Sequence, residues 1–284
     1  MRAVFYLILC IVLWSFIPVF TKFAGVSLDH HQYLFYSSII SSLSVLFFAL
    51  ISGDINGLAR YKPKTYALLF FLGFLDFFYY LLLYFGYQKA GGLEVLAVQY
   101  TWPIFIVILS VILLNERLNS GKIFALGLGF LGTFVVLSKG DLLGFSFSNV
   151  SALLIVCLGA FSFALFSVLS KRVAINPQNA VAIYFFSAII YSFFSVLFFS
   201  EFRLPSASEW GFILINGIFL NGISYLFWIK ALRELDASFA ALFIFVIPVL
   251  SAFLLVLFFD EEILKAHLIS LALVIVSGIL ARRK

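Results

Sequence analysis

The chain has 284 residues, of which 64% are apolar, 19% aromatic and only 11% charged, against roughly 45–50% apolar and ~25% charged for soluble domains. That composition excludes a water-soluble fold. Ten spans of about 20 residues, the length a ~30 Å hydrocarbon core requires, leave short loops and no room for a separate catalytic, nucleotide-binding or nucleic-acid-binding domain. The net charge of +5 therefore reads as a membrane-topology signal before it reads as affinity for nucleic acid.

In chain order, Arg2 opens an apolar run to Phe20 that exceeds the ~7–15 residue core of a cleaved signal peptide, and we read it as the first membrane helix. Hydrophobic runs set against polar breaks predict helices over 3–22, 31–51, 66–88, 93–114, 121–138, 149–170, 178–199, 210–231, 237–259 and 264–281. Cys10 and Cys157 fall inside such runs and read as small packing residues, not as a disulfide or metal site. His30 and His31, at the start of the second helix, read as interfacial because no third metal ligand accompanies them.

Asp76 sits at the middle of the third helix, where a carboxylate costs on the order of 2.5–3.5 kcal/mol and must face a cavity or a partner. Tyr80 and Tyr87 share its helical face, with Tyr79 and Tyr84 at the edges. The fourth helix opens near Glu94, a carboxylate at the favoured end of the helix dipole, and brings Gln99 and Trp102 beside Pro103. In the fifth, Gly127, Gly129 and Gly132 match a dinucleotide-binding pattern but lie inside an apolar helix, where close helix packing is the better reading. The eighth carries Asn221 at its middle, followed by Ser224, Tyr225 and Trp228 on one face, and the ninth carries Pro248.

With both termini on one side, Arg2, Arg60, Lys62, Lys64, Arg117, Lys122, Lys171, Arg172, Lys230, Arg233, Arg282, Arg283 and Lys284 share that side, 13 of the 18 basic residues. Lys22, Lys89, Lys139, Arg203 and Lys265 take the other. The positive-inside rule places both termini in the cytoplasm. Lys22, near the outer end of the first helix, can extend its charge to the interface.

The two halves also match each other at an offset of 145. Pro103 aligns with Pro248, Tyr80 with Tyr225, Asp76 with Asn221, and Leu114 to Leu118 with Phe259 to Ile263. We divide the chain into repeats 1–142 and 143–284. Each holds five crossings, so the second is inverted, and its equivalent loop carries Asp260, Glu261 and Glu262 where the first carries Arg117 and Lys122. Inverted repeats recur in secondary transporters, which rock about a site near the bilayer midplane.

Leu13-Trp14-Ser15 followed by Lys22, prolines in the fourth and ninth helices, and Asn115-Glu116-Arg117-Leu118 or Asp260-Glu261-Glu262-Ile263 directly after them resemble the EamA family of drug/metabolite transporters over nearly the whole chain. The resemblance implies a ten-helix secondary carrier without a cofactor, embedded in a bacterial inner membrane, many of its kind exporting amino acids and related metabolites. It departs at Tyr36, where members often carry arginine, and at Ile247, where they often carry glutamate.

The expected fold is thus all-α, ten transmembrane helices in two inverted five-helix repeats. The candidate substrate-binding residues are Trp14, Asp76, Tyr80, Gln99, Trp102, Asn221, Tyr225 and Trp228, forming an aromatic-walled cavity with polar tips, and Pro103 and Pro248 are candidate helix breaks. Asp76 either holds a substrate ammonium or takes up a coupled proton; the competing reading is a protonated structural acid. Symmetric proline breaks expose backbone to cargo or simply kink the packing. The expected cargo is a small organic metabolite, with a lipid-linked substrate moved by a flippase, or import or exchange, as alternatives. No HExxH, GxSxG or GxxxxGK[ST] pattern supports an enzyme.

Overall fold

The computed structural model describes residues 2–24, 28–142 and 148–281. The side chain of Lys22, together with Arg282, Arg283 and Lys284, lies outside the described residues. Among the described residues, nine helices are long and apolar enough to cross a membrane: α1 (Arg2–Phe20), α2 (His30–Ile51), α3 (Pro63–Lys89), α4 (Gly92–Leu114), α5 (Ser120–Leu137), α6 (Val150–Lys171), α7 (Pro177–Phe199), α8 (Ala207–Glu234) and α9 (Ala237–Phe259). A tenth, α10 (Lys265–Ala281), is shorter and equally apolar. Their bounds lie within about three residues of those predicted.

Helix ends follow local chemistry. Asp29 accepts from the amides of His31 (2.8 Å) and Gln32 (3.0 Å) to start α2, and Asn119, Asn149 and Asn176 cap α5, α6 and α7 in the same way. Ser206 and Glu209 form a reciprocal capping box at α8. The equivalent helices α4 and α9 both end in a left-handed residue, Asn115 (φ 57°) and Asp260 (φ 51°).

Packing repeats the symmetry read from the sequence. The equivalent helices α2 and α7 pack on each other, as do α5 and α10; the α3–α6 contact has its counterpart in α8–α1, and α4–α6 in α9–α1. The α5–α10 pair is antiparallel: Ser277 donates to the Ala125 carbonyl at 2.7 Å and Ser270 to Gly132 at 2.5 Å. Close packing explains two of the four glycines in α5: a Cβ on Gly129 would stand 2.4 Å from the Phe245 ring of α9 and 3.1 Å from the Ser277 hydroxyl of α10, and one on Gly132 3.0 Å from Val274 of α10, whereas Gly127 has open space.

Three helices are broken, each just before a proline. α1 turns at Phe16 ahead of Pro18, α4 at Tyr100 and Thr101 ahead of Pro103, and α9 at Phe245 ahead of Pro248. Each proline lacks the amide that would reach back four residues, to Trp14, Gln99 and Ile244 respectively. The α4 and α9 breaks fall at equivalent positions, Tyr100 and Phe245, and the break ahead of Pro18 adds a third.

Beside the α1 turn, which the continuous α6 lacks, α8 departs from the symmetry. The middle of α8, Asn216–Ile223, is π-helical, whereas α3, its equivalent, is α-helical throughout. Gly217 and Gly222 lie in this stretch, where added Cβ atoms would meet Ile40 at 2.6 Å and the Ser44 hydroxyl at 2.5 Å, so α8 lies tightly against α2 there.

Candidate functional site

Asp76 owes its orientation to the two helices behind it. Gly73 lets α7 approach so closely that a Cβ would stand 2.6 Å from the Tyr184 carbonyl, and Gly159 does the same for α6 against Tyr79. Ser162 of α6 donates to the Leu75 carbonyl at 2.7 Å. With α3 held there, Asp76 is 3% exposed and its Oδ1 accepts from the Tyr225 hydroxyl of α8 at 2.8 Å. Tyr225 also meets the Tyr80 hydroxyl at 3.2 Å. Among the described residues no cation pairs with Asp76.

The aromatic residues close around Tyr225. Its ring centroid lies 5.8 Å from Trp14 and 5.2 Å from Phe185. Trp14 lies 5.6 Å from Trp228 and 6.2 Å from Trp102, and Trp102 packs edge-on against Trp228 and Phe163. Both indole N–H groups of the pair Trp14 and Trp228 have partners, Ser224 at 2.8 Å and Ser167 at 3.1 Å. Trp14 also donates to the Leu220 carbonyl of the π-helical stretch at 3.2 Å. Gln99, just before the α4 break, donates to the Tyr79 hydroxyl at 2.7 Å, while its Oε1 is buried without a partner.

Six of the eight predicted residues, Trp14, Asp76, Tyr80, Trp102, Tyr225 and Trp228, therefore form one connected cluster. Gln99 joins it through Tyr79, which packs on Tyr80. Asn221 does not: no hydrogen bond links it to Asp76 among the described residues. The expected open cavity is also closed in this structure, since the aromatic walls pack against one another.

The cluster is sealed toward one face and opens by degrees toward the other. On the side of the chain termini, Ile229, Leu232, Ala240, Ile244 and Phe166 are completely buried. Glu116 fastens that face: its carboxylate accepts the Ala237 amide at 2.6 Å, and the Ser238 amide and hydroxyl at 2.9 and 2.7 Å, at the N-terminus of α9. Lys171 lies 3.9 Å from Glu116 and donates to the Leu232 and Leu235 carbonyls, while Lys122 pairs with Asp236 at 3.3 Å. Toward the opposite face, Tyr80 and Tyr84 are half-buried and Tyr87 is 38% exposed. Tyr80 stacks with Tyr84, and Tyr84 with His30.

That opposite face has its own fastening. Asp29 accepts from the Ser200 hydroxyl, Gln32 donates to Ser200 and to the Glu201 carbonyl, and His31 bonds Ser195 at 2.7 Å. Burial raises the Asp29 carboxyl, but hydrogen bonds from Ser200 and from the Gln32 and His31 amides outweigh it and hold the group below the usual carboxylate range. Tyr36 donates to the Arg203 carbonyl at 2.9 Å. Glu94 also does more than face the helix dipole, accepting from the Ser148 amide and hydroxyl. An apolar cavity of about 360 Å³ between α9 and α10, lined by Phe243, Val246, Phe253 and Val274 among others, shares no residue with the Asp76 cluster.

A family model described as the EamA-like transporter family matches residues 1–138 and again 150–283. An aromatic amino acid exporter of Ancylobacter novellus is 30% identical over 73% of this chain and 72% of its own length. An S-adenosylmethionine uptake transporter of Rickettsia prowazekii is 26% identical over 92% of this chain and 85% of its own, and an uncharacterized transporter of Bacillus subtilis is 29% identical over 70% and 68%. A solved crystal structure superposes with a TM-score of 0.89, covering 99% of this chain and 96% of that one at 24% identity, which is a likeness of fold.

Proposed function

The chain belongs to the EamA-like transporter family, and we propose that it moves a small amphipathic organic metabolite carrying an amino group, by alternating access around the Asp76 cluster. It is a multi-pass integral membrane protein and a small-molecule transporter, as its relatives are named. The observation that carries the finer reading is Asp76: a buried carboxylate with a hydroxyl donor, no paired cation among the described residues, and aromatic faces around Tyr225. Such a site suits an ammonium group followed by an apolar or planar body. The named cargoes of two relatives, an aromatic amino acid and S-adenosylmethionine, both combine an amino group with a ring.

We assign the terminus-bearing face to the cytoplasm of a bacterial inner membrane, following the distribution of basic residues, and export as the direction. The tight seal at Glu116 and the graded opening along Tyr80, Tyr84 and Tyr87 then correspond to a closed inner side. An unbiased comparison of metabolites inside and outside cells, with and without the protein, tests the proposal. Accumulation outside of an amine-bearing solute, followed by its movement into liposomes holding wild-type protein but not Asp76→Asn, supports it. Cargo that moves equally well through a folded Asp76→Asn variant overturns the site, and loss from the medium instead of gain overturns the direction. Failure of every soluble candidate, with transfer of a lipid-linked one, makes the protein a flippase.

A further inference from the structure

The three groups at the heart of the cluster are joined by two hydrogen bonds, yet the middle one, Tyr225, has a single proton to give. Its oxygen lies 2.8 Å from Asp76 Oδ1 and 3.2 Å from the Tyr80 oxygen. A hydroxyl is one donor and two acceptor sites, so the chain has only two consistent orders. With Asp76 ionised, Tyr225 donates to the carboxylate and Tyr80 donates to Tyr225. With Asp76 neutral and its proton on Oδ1, Asp76 donates to Tyr225, Tyr225 donates to Tyr80, and the Tyr80 proton points away from the cluster.

We propose that Tyr80, Tyr225 and Asp76 form a proton relay whose direction sets whether Tyr80 presents an acceptor or a donor to cargo. The route enters from the face opposite the termini, where Tyr80 is half-buried while Tyr225 and Asp76 are not reached. A proton delivered by hydronium to the Tyr80 oxygen leaves water behind. Tyr80 passes its own proton to Tyr225, and Tyr225 passes its proton to Asp76. One proton is gained on Asp76, each hydroxyl keeps one proton, and both hydroxyls are left in the reversed order without a rotation. Passage along the relay is therefore the same event as reversal of its polarity.

The neighbours leave this path intact. The titratable groups facing it are Tyr79 on α3, Tyr33 on α2, Tyr84 toward the open face and Tyr191 on α7; Tyr79 is engaged by Gln99, and Tyr191 donates to the Phe70 carbonyl. Because Tyr80 and Tyr225 occupy equivalent positions in the two repeats, the relay crosses the pseudo-two-fold axis. Only one end carries an acid, the equivalent of Asp76 being Asn221, and an amide cannot hold the proton. The relay deepens the transport proposal and rests on it, giving that site its coupling: an ionised Asp76 favours a cargo donor at Tyr80, a neutral one favours a cargo acceptor.

The test needs no cargo. Infrared difference spectra between acidic and alkaline conditions are recorded on the full chain in lipid nanodiscs, with isotope-labelled tyrosine. We expect a carboxyl band that is lost in Asp76→Asn, accompanied by a tyrosine C–O–H band that is lost in Tyr80→Phe. In Tyr225→Phe the carboxyl band persists and the Tyr80 band no longer follows it. A Tyr80 band that titrates unchanged in Tyr225→Phe, or a carboxyl band without any tyrosine partner in the wild type, overturns the relay. Cargo movement measured on the same variants separates the two ideas: transport with no relay signal leaves the transport reading standing, and a relay signal without transport does the reverse.

Discussion

Tyr80 and Tyr225 stand 145 positions apart in the chain, occupy the same place in the two repeats, and meet with their hydroxyl oxygens 3.2 Å apart. Their meeting puts the pseudo-symmetry axis through the site and hands Asp76 its donor from the opposite repeat. Removing that donor leaves a buried carboxylate short of a hydrogen bond, which costs about 1–3 kcal/mol. Tyr225→Phe should therefore lower the melting temperature of the protein in detergent, and Asp76→Asn, which needs no charge-assisted donor, should lower it less. Losing the carboxylate should weaken binding of an amine-bearing cargo roughly ten- to hundredfold, the equivalent of about 1.5–3 kcal/mol. Equilibrium binding to the purified protein, followed by the fluorescence of Trp14, Trp102 and Trp228, checks the magnitude.

Helix α5, packed against α9 and α10, offers a paired stability test. Gly129→Ala forces a Cβ to within 2.4 Å of the Phe245 ring, and overpacking of this kind costs about 1–3 kcal/mol. Gly127→Ala meets nothing within 4 Å and should be neutral or stabilise by about 0.5–1 kcal/mol, through the lower freedom of alanine. Thermal unfolding of both variants beside wild type decides it; equal behaviour would mean that Gly129 does not mark a close approach to Phe245.

Most of this architecture is legible in the sequence because hydrophobic period and charge placement report directly on what lipid demands. Asp76, Tyr80, Tyr225 and the tryptophans could be grouped because the offset of 145 and helical spacing both operate on α-helical geometry. The π-helical stretch is not legible, since nothing in Asn216–Ile223 announces it beyond the two glycines against α2. The closed cluster is equally hidden: composition gives aromatic faces but not whether they line a space or fill it. Glu116 was visible only as part of a motif, because its partners at Ala237 and Ser238 lie more than a hundred residues away.

Acid should loosen the face opposite the termini first. Asp29 has its carboxyl held below the unfolded value of about 3.9, so its contribution to stability is complete above that value and is lost as pH falls through the lowered folded value. Melting temperature recorded from about pH 5 downward should show a fall that Asp29→Asn partly flattens. An identical acid profile in the two proteins would remove the Asp29–Ser200 contact from the account of stability.

Orientation is open to chemical labelling. With both termini cytoplasmic, a cysteine at Ala207, beside the exposed Ser206 at the start of α8, should react with an impermeant reagent applied to intact cells. One at Lys64, at the start of α3, should react only once the cells are opened. The reverse pattern would invert the assignment of the inner seal and of the export direction together.

The inner seal makes the sharpest claim on mechanism. Glu116 gathers three donors from the start of α9 and lies within 3.9 Å of Lys171, so one side chain joins the ends of α4, α6 and α9. Alternating access requires those ends to part, and the backbone amides at the α9 terminus then lose their acceptor. Glu116→Ala removes these stabilising bonds from the closed state only, and a change of about 1–2 kcal/mol shifts a two-state population by a factor of roughly 5–30. Ala240, completely buried behind the seal, serves as the reporter: in a background without Cys10 and Cys157, Ala240→Cys should react slowly from the terminus-bearing face and several-fold to tenfold faster once Glu116→Ala is added. Glu116→Gln, which keeps one acceptor oxygen, should fall between. Unchanged reactivity across the series would make Glu116 a helix cap without a gating role, and faster reactivity from the opposite face would place the gate on the wrong side.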